Sequence, residues 1–126
     1  MIIRKIILLI SILLSGLFLK AQTPPAGFEY EVSQLLNFYM FLNVKINDVQ
    51  IKTDDWVAAF NCNQWNENID ECIVLGPCVG SRQWDECNGD DACDVPVFGD
   101  DNSQWTEGYM SPGDIPTFMI YSVSHD

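Results

Sequence analysis

The residues best suited to covalent or metal chemistry are five cysteines: Cys62, Cys72, Cys78, Cys87 and Cys93. Their spacing contains no Cys-x-x-Cys pair, and the single histidine, His125, lies next to the end of the chain. Structural zinc sites depend on such pairs or on histidines, so the pattern does not favour zinc. Disulfide bonds are the better interpretation of these cysteines if the chain is exported.

Local spacing predicts which cysteines pair, although five cysteines allow other arrangements. Cys87 and Cys93 flank a short turn that contains glycine, and Cys62 and Cys72 flank a polar loop. We predict these two disulfides. Cys78 lies next to Val79 in an apolar stretch, so we predict a buried free thiol there.

Acidic side chains are the second candidate group, because calcium takes several hard oxygen ligands from turn-rich loops. The candidate ligands are Asp85, Asp90, Asp91, Asp94, Asp100 and Asp101. Their spacing does not fit an EF-hand, since the third position counted from Asp85 is a cysteine. Possible calcium binding is therefore a prediction from composition, and solvated acidic loops without a metal are the alternative.

Catalytic motifs are missing from the sequence. A nucleophile needs an adjacent base, usually histidine, and His125 is one residue from the end of the chain. The sequence contains neither a serine nucleophile elbow nor a glycine-rich phosphate loop. Paired carboxylates leave open a fragment of a secreted hydrolase that acts through loop carboxylates. We predict that the chain is not an enzyme, because these acids lie in polar loops that do not raise a carboxyl pKa.

The N-terminus has the pattern of a secretory signal peptide over residues 1–21. Arg4 and Lys5 precede the apolar run 6–19, which is too short to cross a bilayer, and Ala21 offers a small residue for cleavage. An uncleaved anchor is the alternative. Cleavage would leave three basic residues against 18 acidic ones, a net charge of −15. We therefore expect a secreted or cell-surface protein that neither inserts into membranes afterwards nor binds nucleic acid.

Hydrophobic patterning predicts an all-β fold, a small sandwich-like domain over residues 37–126 after a leader segment, 22–36. Residues 38–46 alternate, which predicts one strand that buries Phe38, Met40, Leu42, Val44 and Ile46. Asn47 and Asp48 then form a two-residue turn, which sets Ile46 opposite Val49, Val44 opposite Ile51 and Leu42 opposite Thr53.

Further short strands are predicted along the rest of the chain, separated by segments rich in Asn, Asp and Gly. They cover residues 56–60, 72–75, 78–79, 82–84, 95–98 and 117–123. Gly76-Pro77 is expected to interrupt the middle of this series. Because the last segment is apolar, it would make a poor free edge, and we expect the isolated chain to be marginal or to associate.

A series of motifs resembles a β-rich module of large secreted bacterial proteins. The series is DDWVAAFN, CVGSRQW, CNGDDAC, DVPVFGDD and GYMSPGDIPTFMIYS, and it covers about residues 38–124. The resemblance implies a noncatalytic extracellular module of a larger protein, which serves adhesion or binding of a carbohydrate or protein ligand. Such modules usually continue into further strands beyond the last motif, so a truncated or partial module is expected here. They also usually lack cysteines equivalent to Cys62 and Cys72, which is a second departure.

Overall fold

A computed structural model describes residues 22–87 and 92–123. Within these residues the chain is built from antiparallel strands and a 3₁₀ turn, Trp84–Glu86, which confirms the predicted all-β, disulfide-bearing fold. The strands are β1 (Leu36–Phe41), β2 (Lys45–Ile46), β3 (Val49–Gln50), β4 (Trp56–Asn66), β5 (Glu71–Gln83), β6 (Cys93–Phe98) and β7 (Thr117–Tyr121). The described residues include no helix of the length and apolarity that crossing a bilayer requires.

The strands form a three-stranded sheet and two smaller pairings. β4 lies in the centre of the sheet, with β5 along one edge and β7 along the other. β1 and β6 form a two-stranded ribbon, and β2 and β3 form a small hairpin. β6 packs across β4 and β5, so the ribbon and the sheet make two layers in a sandwich-like arrangement.

The core occupies both faces of β4. Val57 and Ala59 pack with Val95 and Val97 of β6 in the main apolar cluster. Ala58 and Phe60 point to the opposite face and form a smaller cluster with Cys78 of β5. The first half of β4 is therefore buried on both sides, which fits its uninterrupted apolar run.

The predicted buried face of the first strand is wrong over β1. Phe38 and Met40 are exposed, whereas Tyr39 and Phe41 pack against Phe118 of β7. The chain bends after Phe41, and the alternation changes phase at that bend. The single predicted strand is therefore two elements. Before the bend the odd-numbered residues face the core, and after it the even-numbered residues do, while Leu42 between them is exposed.

The predicted turn at Asn47-Asp48 is confirmed. Both residues have positive φ, 50° and 65°, as a type I′ hairpin turn requires. Ile46 lies opposite Val49, and Ile51 donates its N–H to the carbonyl of Val44 at 3.1 Å. The pairing of β2 with β3 ends there, so the register predicted for Leu42 is not part of the described hairpin.

β5 is one strand of 13 residues, where the sequence predicted several short ones. Pro77 does not end the strand because β5 pairs only with β4 among the described strands, and a proline is tolerated on an edge. Irregularities between Ala59 and Trp65 of β4 let the long pair twist past these positions.

The segment predicted as a leader covers part of the sheet. Residues 22–35 contain no strand, but the Phe28 ring meets Phe60 and Tyr121 edge-on, at centroid distances of 5.7 and 6.1 Å. Tyr30 stacks on Phe98 at 5.5 Å. This segment therefore completes the smaller cluster on the outer face of β4.

Candidate functional site

The cysteines lie as the sequence predicted. Cys62 is bonded to Cys72 with the Cα atoms 5.8 Å apart, and Cys87 is bonded to Cys93 with a Cα separation of 5.1 Å. Both separations are usual for disulfides. Cys78 is a buried free thiol, and burial raises its pKa. Two disulfides indicate an oxidising compartment, and a buried thiol with a raised pKa is poorly placed to act as a nucleophile.

The side chain of Asp101 has a structural role. Its Oδ1 accepts hydrogen bonds from the Thr106 hydroxyl at 2.6 Å and the Ser103 amide at 3.1 Å, and its Oδ2 accepts one from the Gln34 amide at 3.2 Å. These donors, the Thr106 hydroxyl first, hold the pKa of this carboxyl well below its usual range. Asp101 therefore ties the 100–106 loop to the segment before β1 and cannot serve as a general acid.

The other predicted calcium ligands do not form a cluster with Asp101 in the described part of the chain. Asp94 is paired with Arg82 at 3.0 Å, and Asp85 accepts a hydrogen bond from Gln22 at 2.7 Å. Asp100 accepts the Asn102 amide at 2.8 Å.

Asp90 and Asp91 lie outside the described residues. Among the residues that are described, no three Asp, Glu, His or Cys side chains are grouped as metal ligands. Possible calcium binding stays a prediction.

Asp55 is a buried carboxylate that the sequence did not single out. It is 2% exposed, and its two oxygens accept the Lys52 amide at 2.8 Å and the Val123 amide at 3.0 Å. Its own carbonyl accepts the Trp84 amide at 2.9 Å. Asp55 thus joins the start of β4, the 3₁₀ turn and the end of β7, which is a structural role rather than a catalytic one.

A groove of about 460 Å³ lies beside the ribbon, and we call it the ribbon groove. Tyr39 and Val97 contribute to its apolar surface, together with Leu35 and Met110. The opposite wall is the 110–114 loop, which is joined to the ribbon where Asp100 donates to the Met110 carbonyl at 2.9 Å.

The rim of the ribbon groove carries polar groups. Gln34, Asn37 and Ser111 line it together with Asp114. The described residues give no hydrogen-bond partner to the side-chain amide of Gln34 or to the Tyr39 hydroxyl, so both are available to a ligand. Asp114 is held in place, since its carboxylate accepts the Ser111 amide at 2.8 Å. The groove thus combines an apolar surface with a few polar groups, as ligand sites usually do.

The ribbon groove was not predicted from the sequence, although one of its walls contains a recognisable turn. The run Ser111-Pro112-Gly113-Asp114 is a turn signal, and Gly113 takes the positive φ of 96° that such turns need. The contact of this turn with the ribbon depends on pairing between distant segments, which the local pattern does not specify.

A second cleft, of about 250 Å³, lies on the other side of the 111–115 segment. Asn61, Cys62 and Trp65 of β4 line it together with Gly113, Asp114 and Ile115. The Asn61 side-chain amide donates to the carbonyls of Gly108 and Tyr109 at 2.9 and 3.3 Å, which fixes the outer half of β4 against the loop. One short turn therefore separates two concave surfaces.

Comparisons with protein-family models, with curated proteins and with solved structures find no match for this chain. The resemblance to secreted bacterial modules therefore stays a prediction that rests on the motifs quoted above.

Proposed function

We propose that the chain is a noncatalytic extracellular module for binding or adhesion, and that its ligand occupies the ribbon groove. The observation that carries this proposal is the groove itself. Its volume of about 460 Å³ falls in the size range of ligand sites, and its apolar surface meets polar side chains at the rim. The predicted signal peptide and the two disulfides support export.

The chemistry of the rim favours a carbohydrate as the ligand. The Gln34 amide and the Tyr39 hydroxyl can each donate and accept hydrogen bonds, and so can a sugar hydroxyl. Leu35 and Met110 offer the apolar surface on which the C–H face of a sugar ring can rest. A protein segment is the competing ligand, and it would use the same groups through its backbone.

Binding measurements on the exported chain test this proposal. A panel of immobilised glycans and of uncharged peptides gives the ligand class, and titration calorimetry then gives the affinity. In the double variant Q34A/Y39F, which keeps the Tyr39 ring, two ligand hydrogen bonds are lost and we expect about tenfold weaker binding or more. Q104A removes an exposed amide elsewhere and should bind like the wild type.

Two results would contradict the proposal. Binding that is equal in Q34A/Y39F and in the wild type would place the ligand outside the ribbon groove. Release of shorter sugars from a bound glycan, detected by mass spectrometry, would instead support the hydrolase alternative and remove the noncatalytic assignment.

A further inference from the structure

The ribbon groove and the second cleft share the turn that separates them. Gly113 and Asp114 line both surfaces, and both residues are exposed. A Cβ atom at Gly113 would meet no atom within 4 Å, so the space above the turn is open. A ligand that is a chain can therefore lie in one surface and continue over this turn into the other.

The second cleft is small for a ligand site of its own. Ligand pockets usually enclose about 300–1,000 Å³. The ribbon groove, at about 460 Å³, falls in this range, and the second cleft, at about 250 Å³, does not. A small cleft beside a larger groove fits an additional unit of a ligand that the groove already holds.

Trp65 gives the second cleft a surface that suits a sugar ring. Its side chain is 40% exposed and lines the cleft together with Ile115, which is 69% exposed. The face of an indole ring is electronegative, and the C–H groups of a sugar ring carry partial positive charge, so the two attract when they stack. Trp65 pairs with Cys72, and Cys72 is bonded to Cys62, so the strand that carries the indole ring is held in place.

Asp114 offers a hydrogen-bond acceptor at the turn between the two surfaces. Its Oδ2 accepts the Ser111 amide at 2.8 Å, and the described residues place no donor on its Oδ1. A carboxylate oxygen accepts readily from a sugar hydroxyl. The same charge, in a chain with 18 acidic and 6 basic residues, repels an anionic ligand, so the site favours an uncharged sugar chain over a sulfated or uronic one.

We propose that the two surfaces are subsites for one uncharged oligosaccharide, which crosses the 111–115 turn and sets a sugar ring on Trp65. This role of the second cleft rests on the proposed function, because the ribbon groove is taken as the first carbohydrate subsite. Once one part of the sugar chain is held there, the next part reaches Trp65 at a high effective concentration. Affinity therefore rises with the length of the sugar chain until both subsites are filled.

Titration calorimetry of the exported chain with neutral disaccharides and hexasaccharides tests the second subsite. The probes are oligomers of glucose, mannose, xylose and N-acetylglucosamine. In the series that binds, we expect the hexasaccharide to bind about tenfold more tightly than the disaccharide, or more. W65A should remove this gain and leave the affinity for the disaccharide unchanged. W105A removes the same side chain at a position that is 67% exposed and lines neither surface, and it should bind like the wild type.

A side chain placed over the turn tests the crossing independently of Trp65. Asparagine tolerates a positive φ better than most residues, so G113N can keep the backbone at φ 96° while its side chain enters the open space above the turn. G113N should weaken binding of the hexasaccharide and leave binding of the disaccharide unchanged. Circular dichroism checks that every variant is folded. Hexasaccharide binding that is unchanged in G113N would overturn the crossing.

The second subsite can fail while the ribbon groove still binds sugar. That is the result if Q34A/Y39F loses affinity for both lengths but W65A binds the hexasaccharide like the wild type, or if the wild type binds both lengths equally. A loss in W65A without any loss in Q34A/Y39F would contradict the proposed function and the crossing together. Binding of no sugar in the panel, with or without binding of uncharged peptides, would overturn the carbohydrate assignment of both surfaces.

Discussion

β1 and the first half of β4 are both short, uncharged and apolar, but the fold places them differently. Trp56–Phe60 lies between two strands and is buried on both faces. β1 bonds to one strand and covers the core with only Tyr39 and Phe41. The difference comes from their positions in the sheets, because a central strand has two bonded edges and β1 has one. Apolar composition alone does not distinguish the two positions.

The largest effect is expected where the sheet that contains β4 meets the ribbon that contains β1. A Cβ atom at Gly80 of β5 would lie 1.7 Å from the Pro96 carbonyl oxygen of β6, and neither backbone can easily move. We expect G80A to lose about 3 kcal/mol of folding free energy, or to fail to fold. Urea unfolding followed by tryptophan fluorescence measures this loss.

The control for G80A is G113A. A Cβ atom at Gly113 has open space around it, and only the positive φ of 96° opposes the substitution, at a cost of about 1 kcal/mol. Equal losses in the two variants would mean that the ribbon does not approach the sheet as closely as described.

The outer half of β4 provides the next test, because it lacks the cover of the first half. Asn61–Asn66 and the facing part of β5 are largely exposed, and the Cys62–Cys72 bond crosses them. By the chain-entropy estimate, C62S/C72S should lower the free energy of unfolding by about 2–3 kcal/mol. Urea unfolding of the double variant measures it.

Thiol titration supplies the control for the disulfide assignment. In the native wild type a thiol reagent should label no cysteine, because Cys78 is buried and the others are bonded. In urea it should label one. Two or more thiols labelled in the unreduced, unfolded wild type would contradict the pairing.

Substitutions within the two compared strands should separate them directly. Val57 of β4 is 1% exposed, so V57A should lower the free energy of unfolding by about 2 kcal/mol, through lost burial and the cavity that remains. Met40 of β1 is exposed, and M40A should cost less than about 0.5 kcal/mol when measured on the monomer at low concentration. An M40A loss as large as that of V57A would place Met40 in a buried face, as the sequence pattern alone predicted.

The sequence predicted the fold class and the local features, but not the long-range arrangement. The Asn47-Asp48 turn and both disulfides depend on residues close together in the chain, and the structure contains them. Alternation identifies two faces of a strand but not which face meets the core, and the bend after Phe41 reversed that choice. Phe28 and Tyr30 had no periodic context, so their packing on the sheet could not be predicted.

The candidate site was the least predictable part for the same reason. The ribbon groove is made by β1, β6 and a turn that are 60 or more residues apart in places, and none of its residues forms a motif. The acidic residues are numerous, but their number does not determine which of them lie together in the fold. Asp101 and Asp94 instead bond to groups that only the folded chain supplies, namely Thr106 and Arg82.

A smaller effect on stability is expected from substituting Asp101, whose side chain joins the 100–106 loop to the segment before β1. Its folded pKa lies below the unfolded value of about 3.9, so its contribution to stability is present above that value and is lost as pH falls towards the folded pKa. D101N removes the charge at every pH. Its melting temperature should therefore lie below that of the wild type near pH 7, and the gap should narrow near pH 3.

D100N is the matched control, because Asp100 has only the Asn102 amide as a described donor. It should lower the melting temperature less than D101N does near pH 7. A D101N gap that stays constant between the two pH values would contradict the assignment of acid sensitivity to this carboxylate.

The smallest expected effect on stability is that of added calcium. It concerns the acidic residues of the 85–94 region rather than Asp101. The bonded pair Cys87–Cys93 closes a loop that contains Asp90 and Asp91, whose positions are not described, while Asp94 and Asp101 already have partners. A cation bound only by the folded chain stabilises it by about 0.4 kcal/mol when its concentration equals the dissociation constant. This corresponds to a rise of about 2 °C in melting temperature. Sodium chloride at matched ionic strength screens the same charges without binding specifically, so it should give a smaller rise. If sodium and calcium raise the melting temperature equally, the acidic loops are solvated surface, because screening by any salt would then account for the whole rise.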